Sequence, residues 1–230
     1  MYDIITFGEA MVRLSPPGFQ RLEQTTSLEV QVGGGEYNVA VDGARLGLKT
    51  AWVSRLPDNP LGRMIANRAR QHGVDTAHIV WTKAGRVGLY FVEMGAAPRP
   101  SSVLYDRAGS AISQIQPGDV RWAEIFKGSK VFHVSGITPA LSEAAANATH
   151  EALQAAKSTG LTVSYDLNYR KKLWSDQEAE KIQAPMMRHV DILITTEEDT
   201  RVVFKIDSGT SGRCDDTYTS VSGEAYRMKI

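Results

Sequence analysis

The segment VQVGGGEYNVAV, at residues 30–41, sets three consecutive glycines directly before a helical repeat. An ordered glycine costs about 0.5–1 kcal/mol relative to alanine, so a glycine run indicates a special turn or the close approach of a ligand. The apolar side chains that follow recur at helical spacing: Tyr37, Val41, Ala44 and Leu48. The segment therefore predicts a helix whose first N–H groups are free to bind a polar ligand.

Two nucleotide-binding motifs do not fit this glycine run. A phosphate-binding loop needs G-x-x-x-x-G-K-[ST], but counting from Gly33 places Asn38 at the second glycine, with no lysine after it. The dinucleotide motif G-x-G-x-x-G also fails at Asn38. Two interpretations remain. The glycines only shape the start of the helix, or they form a surface for sugar hydroxyls or a carboxylate, to which Asn38 can both donate and accept hydrogen bonds.

The overall composition is that of a globular protein without a charge bias. The chain has 230 residues, with 26 Lys and Arg against 26 Asp and Glu, which argues against a nucleic-acid partner. No apolar run is long enough to span a membrane, and the first residues lack the features of a secretory signal. The single cysteine, Cys214, excludes an internal disulfide, and the histidines lack zinc-site spacing. We expect a cytoplasmic protein with no membrane partner and no metal site of this kind.

Short apolar runs alternate with helical repeats, a pattern typical of an α/β fold with a mostly parallel sheet. The predicted strands are residues 4–7, 50–53, 131–135, 162–166 and 192–195. Predicted helices include residues 142–158, a segment carrying Leu61 and Ile65, and one that begins near Glu197.

Two stretches, residues 13–32 and 82–106, interrupt that alternation. They contain strand-like pieces with no helix between them, and Tyr90 and Tyr105 favour strands. We interpret both stretches as a small β-lid that projects from the main sheet, with a flexible insertion as the alternative. The predicted organisation is one α/β domain with its lid over residues 1–206. Residues 207–230 are predicted to form a polar loop and the start of a truncated helix.

Several separated motifs together resemble the ribokinase-like (PfkB) carbohydrate kinases. They are Gly8-Glu9 after the first strand, GGGEYNVAVDGARLG at residues 33–47, GRM at residues 62–64 and DLNYRKKLW at residues 166–174. Within the family they look most like the 2-keto-3-deoxygluconate kinases. The resemblance covers residues 1–206 and implies a three-layer sandwich with a mostly parallel central sheet and a β-lid over the sugar. It also implies that roughly the C-terminal third of the family's length is missing.

The resemblance implies a substrate site drawn from the glycine helix, the lid and the ends of the strands. Its candidates are Gly33, Gly34, Asn38, Tyr90, Tyr105, Arg107, Ile137 and Arg170. Ligands of open α/β sheets bind beyond the carboxyl ends of the strands, where Gly136, Asn168 and Arg170 fall. Arginine binds carboxylates through paired hydrogen bonds. The alternatives are surface ion pairs for the arginines and half-buried lid contacts for the tyrosines.

Arg13 is the ninth substrate candidate, on the basis of a departure from the family pattern. Family members that act on neutral sugars commonly carry an aspartate here, which holds sugar hydroxyls. A base in its place favours a sugar acid, whose carboxylate an aspartate would repel. The alternative is that Arg13 faces solvent and that the substrate is a neutral hexose such as fructose.

The resemblance also implies ATP and Mg²⁺ as cofactors, with Asn168, Thr196 and Asp199 as the candidate contacts. The family's N-x-x-E pattern corresponds here to the segment from Thr196 to Asp199, in which both outer residues are changed. This weaker form assists Mg²⁺ binding, or it only caps the next helix.

The family's G-A-G-D-like motif, which supplies the aspartate base and the anion hole, is absent from this sequence. Asp215 and Asp216 lie in a polar segment without a strand–loop–helix context, so we interpret them as loop charges and assign no catalytic residue. The predicted function is ATP-dependent phosphorylation of 2-keto-3-deoxygluconate to its 6-phosphate, with this chain alone inactive. The alternatives are a non-catalytic sugar-acid binding module and a neutral-hexose kinase; the failed dinucleotide motif disfavours a Rossmann-type oxidoreductase.

Missing strands would leave one side of a parallel sheet unpaired and apolar, and such edges invite association. The sequence therefore predicts aggregation or a homo-oligomer, formed through the exposed sheet edge or through the lid.

Overall fold

The structure is a computed structural model that describes residues 1–207. Its strands are β1 (Ile4–Phe7), β2 (Met11–Ser15), β3 (Glu29–Gly33), β4 (Thr50–Val53), β5 (Arg55–Pro57), β6 (Val80–Thr82), β7 (Leu89–Glu93), β8 (Ser102–Asp106), β9 (Val131–Ser135), β10 (Thr162–Asp166) and β11 (Ile192–Ile194). Its α-helices are α1 (Gly35–Arg45), α2 (Pro60–Gln71), α3 (Trp122–Phe126), α4 (Glu143–Ser158), α5 (Asp176–Gln183) and α6 (Glu197–Phe204). Short 3₁₀ helices cover Ile112–Gln114, Pro139–Leu141 and Ala184–His189. The predictions for Cys214, Asp215, Asp216 and the polar loop from residue 208 onward lie outside the described residues.

A parallel sheet with the strand order β11–β10–β9–β1–β4 forms the centre of the fold. β1 pairs with β4 and β9, which places Ile5 opposite Ala51 on one side and Phe132 on the other. The strands carry near-continuous apolar runs because helices cover both faces of a parallel sheet. The predicted α/β class and the bounds of β1, β4, β9 and β10 are confirmed; β11 ends at Ile194, one residue earlier than predicted.

Two apolar clusters separate this sheet from its two helical layers. On one face Trp52 packs with Tyr37 of α1, their ring centroids 5.4 Å apart, and with Ile65 of α2. On the other face Phe7 packs with Trp122 of α3, with ring centroids 5.2 Å apart. The three layers are those of the predicted sandwich, and they leave the carboxyl ends of the strands uncovered by either helical layer.

The helix after the glycine run begins differently from its neighbours. Asn59 caps α2 and Ser142 caps α4 by accepting hydrogen bonds from backbone amides of the first turn. In α1 the cap residue is Gly34, and no cap side chain contacts the first turn. The helix ends at Arg45, so Leu48 lies beyond it, contrary to the predicted repeat. The start of α1 is therefore open on the side where a ligand can approach.

The lid is a second sheet with the strand order β3–β2–β7–β8. β2 runs antiparallel to β3 and parallel to β7, and β7 runs antiparallel to β8. The strands fall in the two stretches that lack helices, but β2 begins at Met11, before the predicted boundary at residue 13. Sequence analysis missed the short pair β5 and β6, whose three-residue strands are too brief to show a periodicity.

Both predicted association surfaces expose apolar side chains in the described part of the chain. Ile192 and Ile194 of the edge strand β11 are each 50% exposed, and Leu104 of β8 is 60% exposed. Association through either surface stays a prediction. Among the described residues no helix combines the length and apolar character needed to cross a bilayer.

We expect His133 to make the stability of the central sheet dependent on pH. It lies in β9, is buried, and has its Nδ1 3.0 Å from the Ser164 hydroxyl of β10. Burial lowers the pKa of His133 to about 4. Between that value and its ordinary pKa of about 6.5, the unfolded chain binds a proton that the native protein does not, so stability falls as the pH falls. We predict a loss of up to about 3 kcal/mol from about pH 7 to pH 4, measured by urea unfolding.

Two variants separate this contribution from other titrating groups. His133→Asn should show a flatter pH dependence of the unfolding free energy, whereas His72→Asn, at the C-cap of α2, should keep the dependence of the wild type. Equal slopes for the wild type and His133→Asn would contradict the prediction.

Candidate functional site

A cavity of about 1140 Å³ lies between the lid sheet and the carboxyl ends of the central strands. All the predicted substrate residues except Arg13 line it: Gly33, Gly34, Asn38, Tyr90, Tyr105, Arg107, Ile137 and Arg170. These residues are distant in sequence and meet because the carboxyl ends of parallel strands share one edge of the sheet. The structure thus brings together in one cavity the groups that the sequence named separately.

The glycines at the floor of the cavity allow backbone and lid to approach each other. A side chain on Gly34 would overlap the carbonyl oxygen of Glu9, which follows β1. A side chain on Gly33 would overlap the Tyr90 hydroxyl, and around Gly35 the space is open. Close approach therefore requires glycine at the first two positions of the run, and not at the third.

Glu36 anchors this glycine segment from below. It is 1% exposed, and its Oε1 accepts hydrogen bonds from the Ser135 amide (3.0 Å), the Ser135 hydroxyl (2.7 Å) and the Thr138 hydroxyl (2.8 Å). Burial raises the pKa of the Glu36 carboxyl, while these hydrogen bonds oppose the rise. Sequence analysis missed Glu36; its place in the first turn of the helix after the glycine run was the available signal.

The lid places two phenol rings over the cavity. Tyr90 of β7 and Tyr105 of β8 are cross-strand partners and stack with ring centroids 6.0 Å apart. Tyr90 is half-buried, and this burial raises the pKa of its hydroxyl. Both rings present a flat, partly apolar surface with a hydrogen-bonding end, which suits a small polyhydroxylated ligand.

A buried ion pair forms one wall of the cavity. Arg107, just after β8, donates through Nη2 to the Glu9 carboxylate, and both residues line the cavity. Their side chains are 13% and 3% exposed. Next to this pair, at the cavity rim, the exposed Asp106 pairs with Arg86. Sequence analysis noted Gly8-Glu9 as a motif but gave Glu9 no role.

The loop after β10 supplies the remaining charged side chains. Arg170, Lys171 and Lys172 line the cavity, and Nζ of Lys172 lies 5.7 Å from the centroid of the Tyr105 ring. This is a cation–π contact between the loop and the lid. Ile137 lies on the loop after β9 and lines the cavity, and its amide donates to the Ser135 hydroxyl at 3.3 Å.

The structure does not bring Arg13 to the cavity with the other candidates. Arg13 lies on β2 opposite Tyr90, but its Nε donates to the Ser15 hydroxyl at 3.1 Å, along its own strand. The guanidinium is nevertheless near the cavity, because its charge lowers the pKa of the Tyr90 hydroxyl and so opposes the effect of burial. A contact between Arg13 and the substrate stays a prediction.

The three cofactor candidates lie beside the cavity, at the ends of β10 and β11. Asn168 donates to the Asp166 carboxylate at 3.3 Å, and Asp199 accepts from the Tyr169 amide at 3.3 Å. Thr196 caps α6 by accepting from the Asp199 amide at 3.1 Å, which matches the simpler of the two interpretations of this segment.

Asp166 and Asp199 are the two carboxylates at these strand ends whose positions suit contact with a metal ion. Burial raises the pKa of the Asp166 carboxyl, Arg170 opposes the rise, and the nearby charge of Asp199 adds to it. A divalent cation would relieve that repulsion, so the pair fits a supporting contact to Mg²⁺. Within residues 1–207 no cluster of three or more metal-ligating side chains is formed.

Comparisons with known proteins show which family this chain resembles in sequence and fold. The model of the pfkB family of carbohydrate kinases matches residues 1–218. A 2-dehydro-3-deoxygalactonokinase of Haloferax volcanii is 44% identical over 205 residues, which cover 89% of this chain and 64% of the relative. The solved 2-dehydro-3-deoxygluconokinase of Thermotoga maritima has a TM-score of 0.86 at 47% identity, covering 90% of this chain and 63% of that one.

A more distant structure shares the fold. A sugar kinase of Pyrococcus horikoshii, solved in complex with ATP, has a TM-score of 0.78 at 24% identity and covers 88% of this chain. This chain spans less than two thirds of the length of the Haloferax and Thermotoga proteins.

The glycine run gives a direct test of the cavity floor. Gly34→Ala should destabilise the protein by about 1–3 kcal/mol, because the new methyl group overlaps the Glu9 carbonyl and the backbone must shift. Gly35→Ala meets no atom within 4 Å and should be neutral or stabilising by up to about 1 kcal/mol. Urea unfolding measures both variants, and equal effects would show that the approach at Gly34 is not required.

Proposed function

The chain belongs to the pfkB family of carbohydrate kinases, and on that premise we propose that its cavity binds a sugar acid as the acceptor of a phosphoryl group from ATP. The substrate we propose is 2-keto-3-deoxygluconate, phosphorylated at its 6-hydroxyl, or the galactonate counterpart. The names of the Haloferax and Thermotoga relatives support this substrate class.

The distribution of unpaired charge around the cavity carries the proposal. Arg107 is neutralised by Glu9, and Asp106 by Arg86. Glu36 also lines the cavity, but it is 1% exposed and its Oε1 accepts three hydrogen bonds from protein groups. The charged lining residues that remain are Arg170, Lys171 and Lys172, and within residues 1–207 none of them forms an ion pair. The cavity therefore presents a positive field from a single loop, which attracts an anionic ligand.

The lining suits each part of an open-chain or cyclic sugar acid. Arg170 can bind the carboxylate through two parallel hydrogen bonds, and Lys172 adds a second positive charge beside Tyr105. Backbone groups at Gly33 and Gly34, with the side chain of Asn38, can bind hydroxyls at the floor. The stacked tyrosines cover the ligand from the lid side and exclude water.

ATP and Mg²⁺ are proposed on the basis of the family. Asn168 and Asp199 would contact the phosphates or the metal from the ends of β10 and β11, next to Arg170. Mg²⁺, when bound, would neutralise charge on the transferred phosphoryl group. In this proposal the chain holds the sugar so that its acceptor hydroxyl faces the ends of β10 and β11.

We further propose that this chain alone does not complete the reaction. The sequence contains no G-x-G-D segment to supply the aspartate base and the anion hole. A general base typically contributes about 10²–10⁴ in rate, and preorganised anion stabilisation about 10²–10³ more. A cavity without these groups favours, as the second candidate function, sugar-acid binding without chemistry.

Arg170 is the residue that most directly tests the acidic substrate. Arg170→Met should weaken the binding of 2-keto-3-deoxygluconate by roughly 10–100-fold, the range expected for loss of a charge-assisted hydrogen-bond pair. Isothermal titration calorimetry measures the affinity. Arg121→Met removes an exposed arginine at the start of α3 and should leave the affinity unchanged. Equal affinities for the wild type and Arg170→Met would contradict the proposal.

A coupled ADP-release assay tests the proposed lack of turnover. With ATP, Mg²⁺ and 2-keto-3-deoxygluconate, we expect no ADP release by the 230-residue chain above the background without sugar. The Thermotoga relative in the same assay is the positive control. Sugar-dependent ADP release by the chain would mean that its base lies in a segment that lacks the family motif.

A further inference from the structure

The Glu9–Arg107 pair separates two kinds of positive charge in the cavity. Arg107 shares its charge with a carboxylate that is 3% exposed, whereas Arg170 carries its charge without an ion pair among the described residues. Arg107 meets Glu9 through Nη2 only. Neither Arg107 Nε nor Glu9 Oε1 has a hydrogen-bond partner within residues 1–207, although both atoms are buried.

Stability alone does not account for this pair. Moving two charges out of water costs about as much as their attraction returns, unless every polar atom finds a partner. In the Glu9–Arg107 pair one oxygen and one nitrogen do not. The pair nevertheless stands in the wall of the cavity, where its net charge acts on any ligand through a poorly screened medium.

We propose that Glu9 is a specificity-determining residue, whose carboxylate moderates the charge of Arg107 and so limits the preference of the cavity for acidic over neutral sugars. This inference rests on the proposed function. In the wild type the negative charge of Glu9 opposes part of the attraction that Arg107 exerts on a substrate carboxylate. With a neutral side chain of the same shape, the ligand itself becomes the counter-ion of Arg107, and anionic ligands gain most.

Glu9→Gln isolates the charge because glutamine keeps the shape and an oxygen that can accept from Arg107. We expect the variant to bind 2-keto-3-deoxygluconate at least about threefold more tightly than the wild type, as judged by isothermal titration calorimetry. Its affinity for fructose, a neutral sugar, should not increase. A purely structural role predicts the opposite sign, because damage to the wall weakens the binding of every ligand.

Glu93→Gln is the matched control. Glu93 is also the partner of a partly buried arginine, Arg99, on the lid strand β7, at an N–O distance of 2.5 Å. Neither residue lines the cavity. Removal of this counter-ion should leave the affinity for 2-keto-3-deoxygluconate unchanged, even if the lid becomes less stable.

A second comparison serves if Glu9→Gln does not fold. Arg107→Met leaves the Glu9 carboxylate in the cavity wall without its counter-ion, and its negative charge opposes the binding of the sugar acid. Glu9→Gln combined with Arg107→Met removes that repulsion, so the double variant should bind the acid more tightly than Arg107→Met alone.

The outcomes separate the two proposals. A wild-type chain that binds neither sugar overturns the proposed function and the role of Glu9 with it. A wild type that binds the acid, together with a Glu9→Gln affinity that is unchanged or weaker, overturns the role of Glu9 alone.

Discussion

The buried carboxylate of Glu36 is the constraint on which the cavity depends. It joins the first turn of α1 to the loop after β9 through Ser135 and Thr138, and it lies against Gly8, where any side chain would overlap it. A buried carboxylate is costly unless its hydrogen bonds are made, so the three segments are stable together and not separately. The glycine floor, the end of β1 and the loop that carries Ile137 consequently keep fixed positions around the ligand space.

The charged side chains around the cavity fall into two groups, one buried and one exposed. The buried side of the cavity holds Arg107 beside Glu9, and the exposed loop after β10 holds Arg170, Lys171 and Lys172 without ion pairs among the described residues. A cation inside the protein needs a counter-charge because water does not solvate it there, whereas an exposed cation is solvated and stays free for a ligand. Under the proposed function, the loop therefore supplies the attraction for an anionic ligand, and the buried pair is the group proposed to modulate it.

Some parts of the structure were predictable from local sequence and others were not. The bounds of β1, β4, β9 and β10 followed from short apolar runs, because burial between two helical layers demands such runs. The strand pair β5 and β6 gave no periodicity, and the hydrogen bond from Arg13 to Ser15 on the same strand had no signal in the sequence. Sequence analysis gave Glu9 and Glu36 no role, since an acidic residue next to a glycine is ordinarily a solvated charge.

The sequence by itself determined the α/β class, the helix that follows the glycine run and the set of residues that could meet at the strand ends. These features depend on residue spacing and on chain connectivity, which local sequence carries. Only the tertiary structure decided which arginine is neutralised, which carboxylate is buried and which candidates line the cavity. Those outcomes depend on contacts between residues up to 102 positions apart, such as Glu36 with Thr138, and on the loss of water around them, neither of which has a signal in local sequence.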